Sequence, residues 1–496
     1  MDKPNPPKDT AKPGPTPGRT IPPPAKPPAP IRIQPLAPLF RRIDWVTFAI
    51  TTLLTFLGYY LTLAPDLTLE DAGELAVGSY YAGVPHPPGY PVWTIYTWLF
   101  TLIPYSNIAW RVALSSAVAG AFACGLLALL VSRGSSLMLE GLADLKGIER
   151  RWEDALCVVS GFVSGTLLGF NGFMWSQAVI VEVYTLSVLS FMGVLCSLLR
   201  WIYAPDQRRY LYWAFFWFGI CFTNDQTLIV AAMGVEVAVL AVQPRLGRDM
   251  FVGNSIVYLL GLVLKTTGKL TAFDSNLPLF MIYNLVGVGS LLTAGATALK
   301  TRGLLTEWKP VLVSLSLWFL GASFYFYMPL ASMTNPPLNW GYPRTEEGFV
   351  HALTRGQYEQ TNPTSSLTRF VDQVKDVYAD GAIDEFGRVY LAIGVIPWFF
   401  YRRFQKRERA WLVGLTAIFL CLAGLLLLLL NPNTDLQSRT QARVFFTSSH
   451  IVIAIAIGYG ITLLGGVLAT QYTNYLTIKW WVPILVGLAR PVLKLV

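Results

Sequence analysis

The feature that most limits what this chain can fold into is a succession of apolar runs of bilayer-spanning length. They fall at roughly 44–64, 109–132, 155–174, 179–203, 210–222, 227–243, 250–265, 279–299, 309–330, 387–402, 409–430, 444–468 and 479–494. A bilayer core takes about 20 apolar residues per helix, and inside it only helices or closed barrels satisfy their own backbone hydrogen bonds. Several runs are short or abut, so the pattern predicts an all-α, polytopic transmembrane protein of about eleven to thirteen spans. Composition agrees, with 14% of residues charged against about 25% in a soluble domain. Residues 91–104 (PVWTIYTWLFTLIP) are too short to cross and fit an interfacial helix.

The basic residues give the orientation. Arg41 and Arg42 precede the first run and place the N-terminus in the cytoplasm. The same side then receives the loops with Lys146, Arg150 and Arg151, with Arg208 and Arg209, with Arg245 and Arg248, with Lys300, Arg302 and Lys309, and the run 401–409. Basic residues sorted this way account for the net charge of +9 as a topology signal, which argues against nucleic-acid binding. Residues 1–39 hold fourteen prolines interleaved with lysine and arginine, the composition of a disordered, polyproline-like cytoplasmic tail rather than a signal peptide. The transmembrane domain then covers 40–496, with a first outer loop at 65–108 and a long outer loop at 331–386. The five cysteines lie in or at the ends of apolar runs and point to neither a disulfide frame nor a metal cluster.

Everything chemically suggestive falls on the outer side. The segment 65–91 packs Asp66, Glu70, Asp71 and Glu74 into nine residues and then sets His86 in a proline-glycine turn. Asp71 and Glu74 stand three apart, on one face of a helical turn, where a carboxylate could take a proton from a hydroxyl. The same acids would also suit a helix N-terminus, and His86 could equally be a hydrogen-bonded turn residue. Glu182, near lipid, reads as a site residue or as a structural partner. Asn335, Asn339, Gln357, Tyr358 and Gln360 make the 331–386 loop polar enough to bind a sugar or to cap the spans, and Trp340 and Tyr342 could stack on a sugar.

The run EDAGELAVGSYYAGVPHPPGYP resembles the D-x-G-E…G-V-x-H-P-P-G-x-P signature of a bacterial multispan family related to the animal protein O-mannosyltransferases, members of the GT-C glycosyltransferase superfamily. Trp175-Ser176 through Glu182-Val183-Tyr184 is similar to the family's W-S…E-V-Y element. Tyr327-Met328-Pro329-Leu330 with Asn335 to Gly341 is similar to its Y-x-P-L…N-P-P-x-N-W-G loop. Two positions depart from it: Asn224-Asp225 stands where relatives carry a histidine, and Arg443 lacks the acid that follows it in relatives.

The resemblance implies a GT-C-type fold and a membrane transferase. It would pass a hexose such as mannose from a polyprenyl-phosphate sugar to a hydroxyl of an exported protein or glycolipid. Asp71 would be the general base, assisted by Glu74. Glu70, His86, Glu182, Asn339 and Trp340 are candidates for substrate binding. Of the outer arginines (Arg111, Arg344, Arg355, Arg439 and Arg443), Arg443 is the first choice to face the leaving phosphate and Arg344 the second. No cofactor and no metal are expected, and the setting would be a bacterial inner membrane. The rivals are a lipid-sugar flippase and an inactive member of the same fold.

Overall fold

A computed structural model describes residues 1, 38–274, 276–358 and 362–475. Residues 2–37, Gln360 and the apolar run 479–494 lie outside the described residues. Among its described residues, the regular elements of the unit from Leu39 onward are all helices, apart from one isolated bridge.

The helices are α1 (Arg42–Leu61), α2 (Ala72–Tyr80), α3 (Pro91–Thr101), α4 (Ile108–Gly141), α5 (Arg150–Gly169), α6 (Gly172–Ala178), α7 (Tyr184–Tyr203) and α8 (Arg209–Asn224). There follow α9 (Ala232–Val242), α10 (Pro244–Thr266), α11 (Leu277–Thr301), α12 (Trp308–Ala322), α13 (Tyr327–Met333), α14 (Glu346–Leu353) and α15 (Leu367–Asp372). The last are α16 (Asp380–Phe399), α17 (Lys406–Phe419), α18 (Leu426–Leu430), α19 (Leu436–Arg443) and α20 (Thr447–Tyr475). Among the described residues, eight helical stretches are long and apolar enough to cross a membrane, and α5 with α6, bent by 66°, would make a ninth. The protein is therefore an integral membrane protein.

The expected runs at 210–222 and 227–243 form α8 and, after a six-residue 3-10 helix (Gln226–Ala231), α9, two short helices meeting at a break over Asn224–Gln226. The expected run at 387–402 lies in α16, which Gly387 kinks by taking a positive φ of 70°. α3 buries Trp93, Thr94 and Thr97 and exposes Trp98 and Leu99, an amphipathic split suited to a short helix that does not cross.

Close approach of small residues holds the first spans together. Thr47, Thr51 and Thr55 lie four apart on α1, and Gly161, Gly165 and Gly169 lie four apart on α5. A methyl group added to these glycines would sit 3.0, 2.6 and 2.7 Å from the three threonine Cγ2 atoms in turn. In lipid there is no hydrophobic drive to pair helices, so such interlocking small residues supply the contact. The charged end of this layer is fastened by Arg41, which pairs with Asp44 at 3.0 Å, Glu153 at 3.1 Å and Asp154 at 3.3 Å.

Gly165→Ile is expected to force α1 and α5 apart and to lower the thermal midpoint in detergent. Gly253→Ala on α10, where nothing lies within 4 Å of an added Cβ, should leave the midpoint unchanged or raise it, by the helix propensity of about 1 kcal/mol that alanine adds to stability. Equal destabilisation by both would count against the glycine–threonine interlock.

Candidate active site

The acidic segment is shaped by its own hydrogen bonds. Asp71 stands at the N-cap of α2 but its side chain caps nothing. Glu74, in the first turn, reaches across twelve residues and accepts the backbone N–H of His86 at 2.6 Å and lies 3.1 Å from ring Nδ1. An ionised carboxylate only accepts, so His86 Nδ1 carries the proton and Nε2 presents a lone pair. Nε2 lies 3.1 Å from the Tyr90 hydroxyl and 3.9 Å from Asp71 Oδ2. Tyr90 is itself held at a positive φ of 39° immediately before the proline that starts α3.

The turn is pinned from outside. Val84 donates its N–H to Leu338 O at 3.0 Å and accepts from Trp340 N at 3.0 Å, a two-stranded bridge between the first and second long loops. Gly89 takes a positive φ of 84°, and any Cβ there would collide with Met328 Sδ. The Tyr327 hydroxyl donates to Ala82 O. Two of the sequence motifs thus meet in space.

Beside the turn opens a cavity of about 330 Å³, near the lower end of small-molecule sites, which run from about 300 Å³ upward. It is lined by Glu70, Asp71, His86 and Tyr90 from the first loop, by Glu182, Asn224, Asp225, Arg355 and Tyr358 from later breaks and loops, and by residues of α19 and the turn after it. Glu182 sits in the break between α6 and α7, where its carbonyl is fixed by Trp93 Nε1 and Ser116 Oγ, each at 3.1 Å. Its carboxyl is pushed up to about 8, mainly by burial and then by the charges of Glu70 and Asp71, against the pull of the Val183 N–H. Burial also raises Asp225, although Thr227 donates to it twice, at 2.9 and 2.7 Å, and Arg355 is nearby. Burial holds the Tyr90 hydroxyl well above the ordinary phenol range, so it stays protonated. Asp71, by contrast, is 59% exposed. The cavity therefore offers an exposed carboxylate, Asp71, and a buried acid that tends to hold its proton, Glu182, a division of roles seen where two carboxyl environments diverge.

The structure brings Glu70, Asp71, His86 and Glu182 to one cavity, with Glu74 bonded behind His86. Asn339 supports the turn through the Val84 bridge, its Oδ1 buried without a partner among the described residues. Trp340 is exposed and does not line the cavity. Arg344 bonds Asn335 and lies over the Tyr342 ring at 5.5 Å. Arg443 lies over Phe173 at 5.6 Å and turns out of the cavity, while Thr440, Gln441, Val444 and Phe445 around it face in. The cation that lines the cavity is Arg355, held at a positive φ of 58° and stacked on Tyr358 at 4.5 Å. Sequence reasoning named it among five arginines and ranked it below two that point elsewhere, because nothing local distinguishes it. Tyr90 was missed, though its i+4 spacing from His86 was a usable signal.

Asp71, Glu74 and His86 present ligand atoms within 4.8 Å of one another, the kind of set that could hold a cation. Here Glu74 and the His86 ring hydrogen are already committed to each other.

Residues 71–245 match the family described as protein O-mannosyl-transferase TMEM260 N-terminal domain. Over this stretch the chain is similar to the TMEM260 protein O-mannosyl-transferases. It is 32% identical over 141 residues to protein O-mannosyl-transferase TMEM260 of Mus musculus, covering 28% of this chain and 17% of that protein. It is 21% identical over 464 residues to protein O-mannosyl-transferase tmem260 of Dictyostelium discoideum, covering 86% of this chain and 47% of that protein. The chain thus spans less than half the length of these two relatives. Among solved structures, the Archaeoglobus fulgidus oligosaccharyltransferase aligns over 90% of this chain and 53% of its own, with 13% identity and a TM-score of 0.40. The TMEM260 match begins at Asp71 and takes in Glu74, His86, Tyr90, Glu182 and Asp225, but Arg355 lies beyond it.

Because Glu182 keeps its proton up to about pH 8 when folded and loses it near 4.5 when unfolded, its contribution to stability falls as pH rises through that window. Glu182→Gln removes the penalty. The substitution should raise the thermal midpoint more at pH 8 than at pH 5, and an equal shift at both would refute the buried, protonated state.

Proposed function

We propose that this protein is a glycosyltransferase that moves a hexose, mannose being the first candidate, from a polyprenyl-phosphate donor to a hydroxyl on an exported protein or glycolipid. The observation that carries the reading is one cavity lined by both an exposed carboxylate, Asp71, and a cation, Arg355. In the proposed reaction Asp71 takes the proton of the acceptor hydroxyl as its oxygen bonds to the sugar's anomeric carbon. The bond from that carbon to the phosphate oxygen breaks, and the polyprenyl phosphate leaves with the electron pair beside Arg355. Displacement from the face opposite the phosphate inverts the anomeric centre. His86, oriented by Glu74 and Tyr90, lines the cavity beside Asp71, and protonated Glu182 donates to a sugar oxygen. No metal takes part in this scheme. The protein would lie in a bacterial inner membrane with the cavity facing outward, as the basic loops predict.

Transfer of radiolabelled sugar from polyprenyl-phosphate hexose to acceptors in membranes tests this. Asp71→Asn should cut turnover by about 100-fold or more, the scale of general-base catalysis, and Arg355→Gln by about 100- to 1000-fold, the scale of losing a charge-stabilising donor. Undiminished transfer by Asp71→Asn would remove it from the mechanism. Activity should also fall above about pH 8 as Glu182 ionises beside Glu70 and Asp71, and Glu182→Gln should flatten that limb. A lipid-sugar translocator is the second reading, favoured by the break between α8 and α9, where Asn224 Oδ1 is buried with no partner among the described residues. Lipid-sugar translocation without any transfer would select it.

A further inference from the structure

A second polar cavity, of about 620 Å³, lies at the other end of the bundle. α8 ends at Asn224 beside the acidic cavity, and its 16 residues carry it about 24 Å away to Arg208 and Arg209. Arg208 lines the second cavity, together with Arg245 at the start of α10 and Lys300 and Arg302 at the end of α11. Three separate interhelical connections therefore bring four cations to one space. The two carboxylates there are Asp206 and Glu307. Glu307 pairs with Arg208 at 2.7 Å. Among the described residues Arg245, Lys300 and Arg302 have no carboxylate within ion-pair distance.

The wall carrying Arg302 is rigidly built. Arg248, fully buried, pairs with Asp249 at 2.7 Å and donates to Thr301 Oγ1 at 2.7 Å, Gly303 O at 2.5 Å and Thr306 Oγ1 at 2.7 Å. Asp249 in turn accepts the N–H groups of Leu305 at 3.0 Å and Glu307 at 2.5 Å. This buried pair holds the 301–307 connection in one shape, so the cations are kept close despite their mutual repulsion. The N-terminus of the 23-residue α10 also opens onto the cavity, adding the positive end of its dipole. A bound anion would offset that charge.

The surroundings say what kind of anion. Beside the cavity Leu299 is 84% exposed, Leu304 60%, Leu305 51% and Trp308 47%, an apolar rim of the kind lipid covers in a membrane protein. A tryptophan next to basic residues is also the usual composition of a headgroup boundary. Basic pockets between helices on the cytoplasmic side are the general form of an anionic-lipid site, and the basic loops predict that side here.

We propose that this cavity binds the phosphate of an anionic phospholipid headgroup between Arg245, Lys300 and Arg302, with the acyl chains along the exposed end of α11 and the start of α12. The site is independent of the transferase reading and of the acidic cavity.

Native mass spectrometry of the purified full chain titrated with phosphatidylglycerol or phosphatidylcholine tests it. Wild type should bind the anionic lipid selectively. Each cation near the surface contributes about fivefold, so Arg245→Gln/Lys300→Gln/Arg302→Gln should weaken binding on the order of 100-fold, and Arg302→Gln alone by about fivefold. Arg150→Gln/Arg151→Gln, which removes two exposed cations outside the cavity, should leave binding unchanged. Undiminished binding by the triple variant overturns the site, as does an equal loss in the Arg150/Arg151 control. If inorganic phosphate protects the chain from thermal unfolding as well as the lipid does, the ligand is a free phosphate and the lipid assignment falls.

Discussion

The contact on which the candidate site depends is the one between Glu74 and His86. A single carboxylate accepts both the backbone N–H and the ring hydrogen of the same residue, so it sets the path of the turn and the tautomer of the ring together. With Nδ1 so committed, Nε2 is left to accept from the Tyr90 hydroxyl. The Val84 bridge to Leu338 and Trp340 then fixes this unit against the second long loop. Charge-assisted bonds of this kind are stronger than neutral ones, and here they order a loop that has little regular structure of its own.

Burial does the complementary work on the cavity's later-sequence lining. Glu182 and Asp225 sit in breaks between helices, where the backbone is turned and the cavity brings a polar face close to apolar packing. Desolvation raises both, while Asp71 stays open to solvent. Polar backbone away from regular helix is tolerated at such depth only where it lines a cavity, and these breaks do so.

The two ends of the bundle differ in how charge is handled. At the acidic end, carboxylates outnumber the cation they face. At the other end, a buried Arg248–Asp249 pair shapes a connection that gathers cations instead. Along the bundle, α1 and α5 meet through a threonine row and a glycine row.

The sequence by itself determined the class of structure. Apolar runs of spanning length leave a lipid-embedded chain little alternative to helices, and the runs became α1, α4, α7, α10 and α11 with bounds shifted at their ends. It also showed the acidic wall, since Glu70, Asp71, Glu74 and His86 lie within one short segment whose spacing is local. Glu182 was legible because a carboxylate near lipid needs a reason. Tertiary structure alone decided which arginine faces the cavity. The sequence ranked Arg443 and Arg344 above Arg355, and only packing turns Arg443 onto Phe173, Arg344 onto Tyr342 and Arg355 inward beside Tyr358. The reason is physical: a guanidinium sits at the end of a long, rotatable stem, so its direction is set by the rings and carbonyls that happen to surround it, and those come from distant parts of the chain.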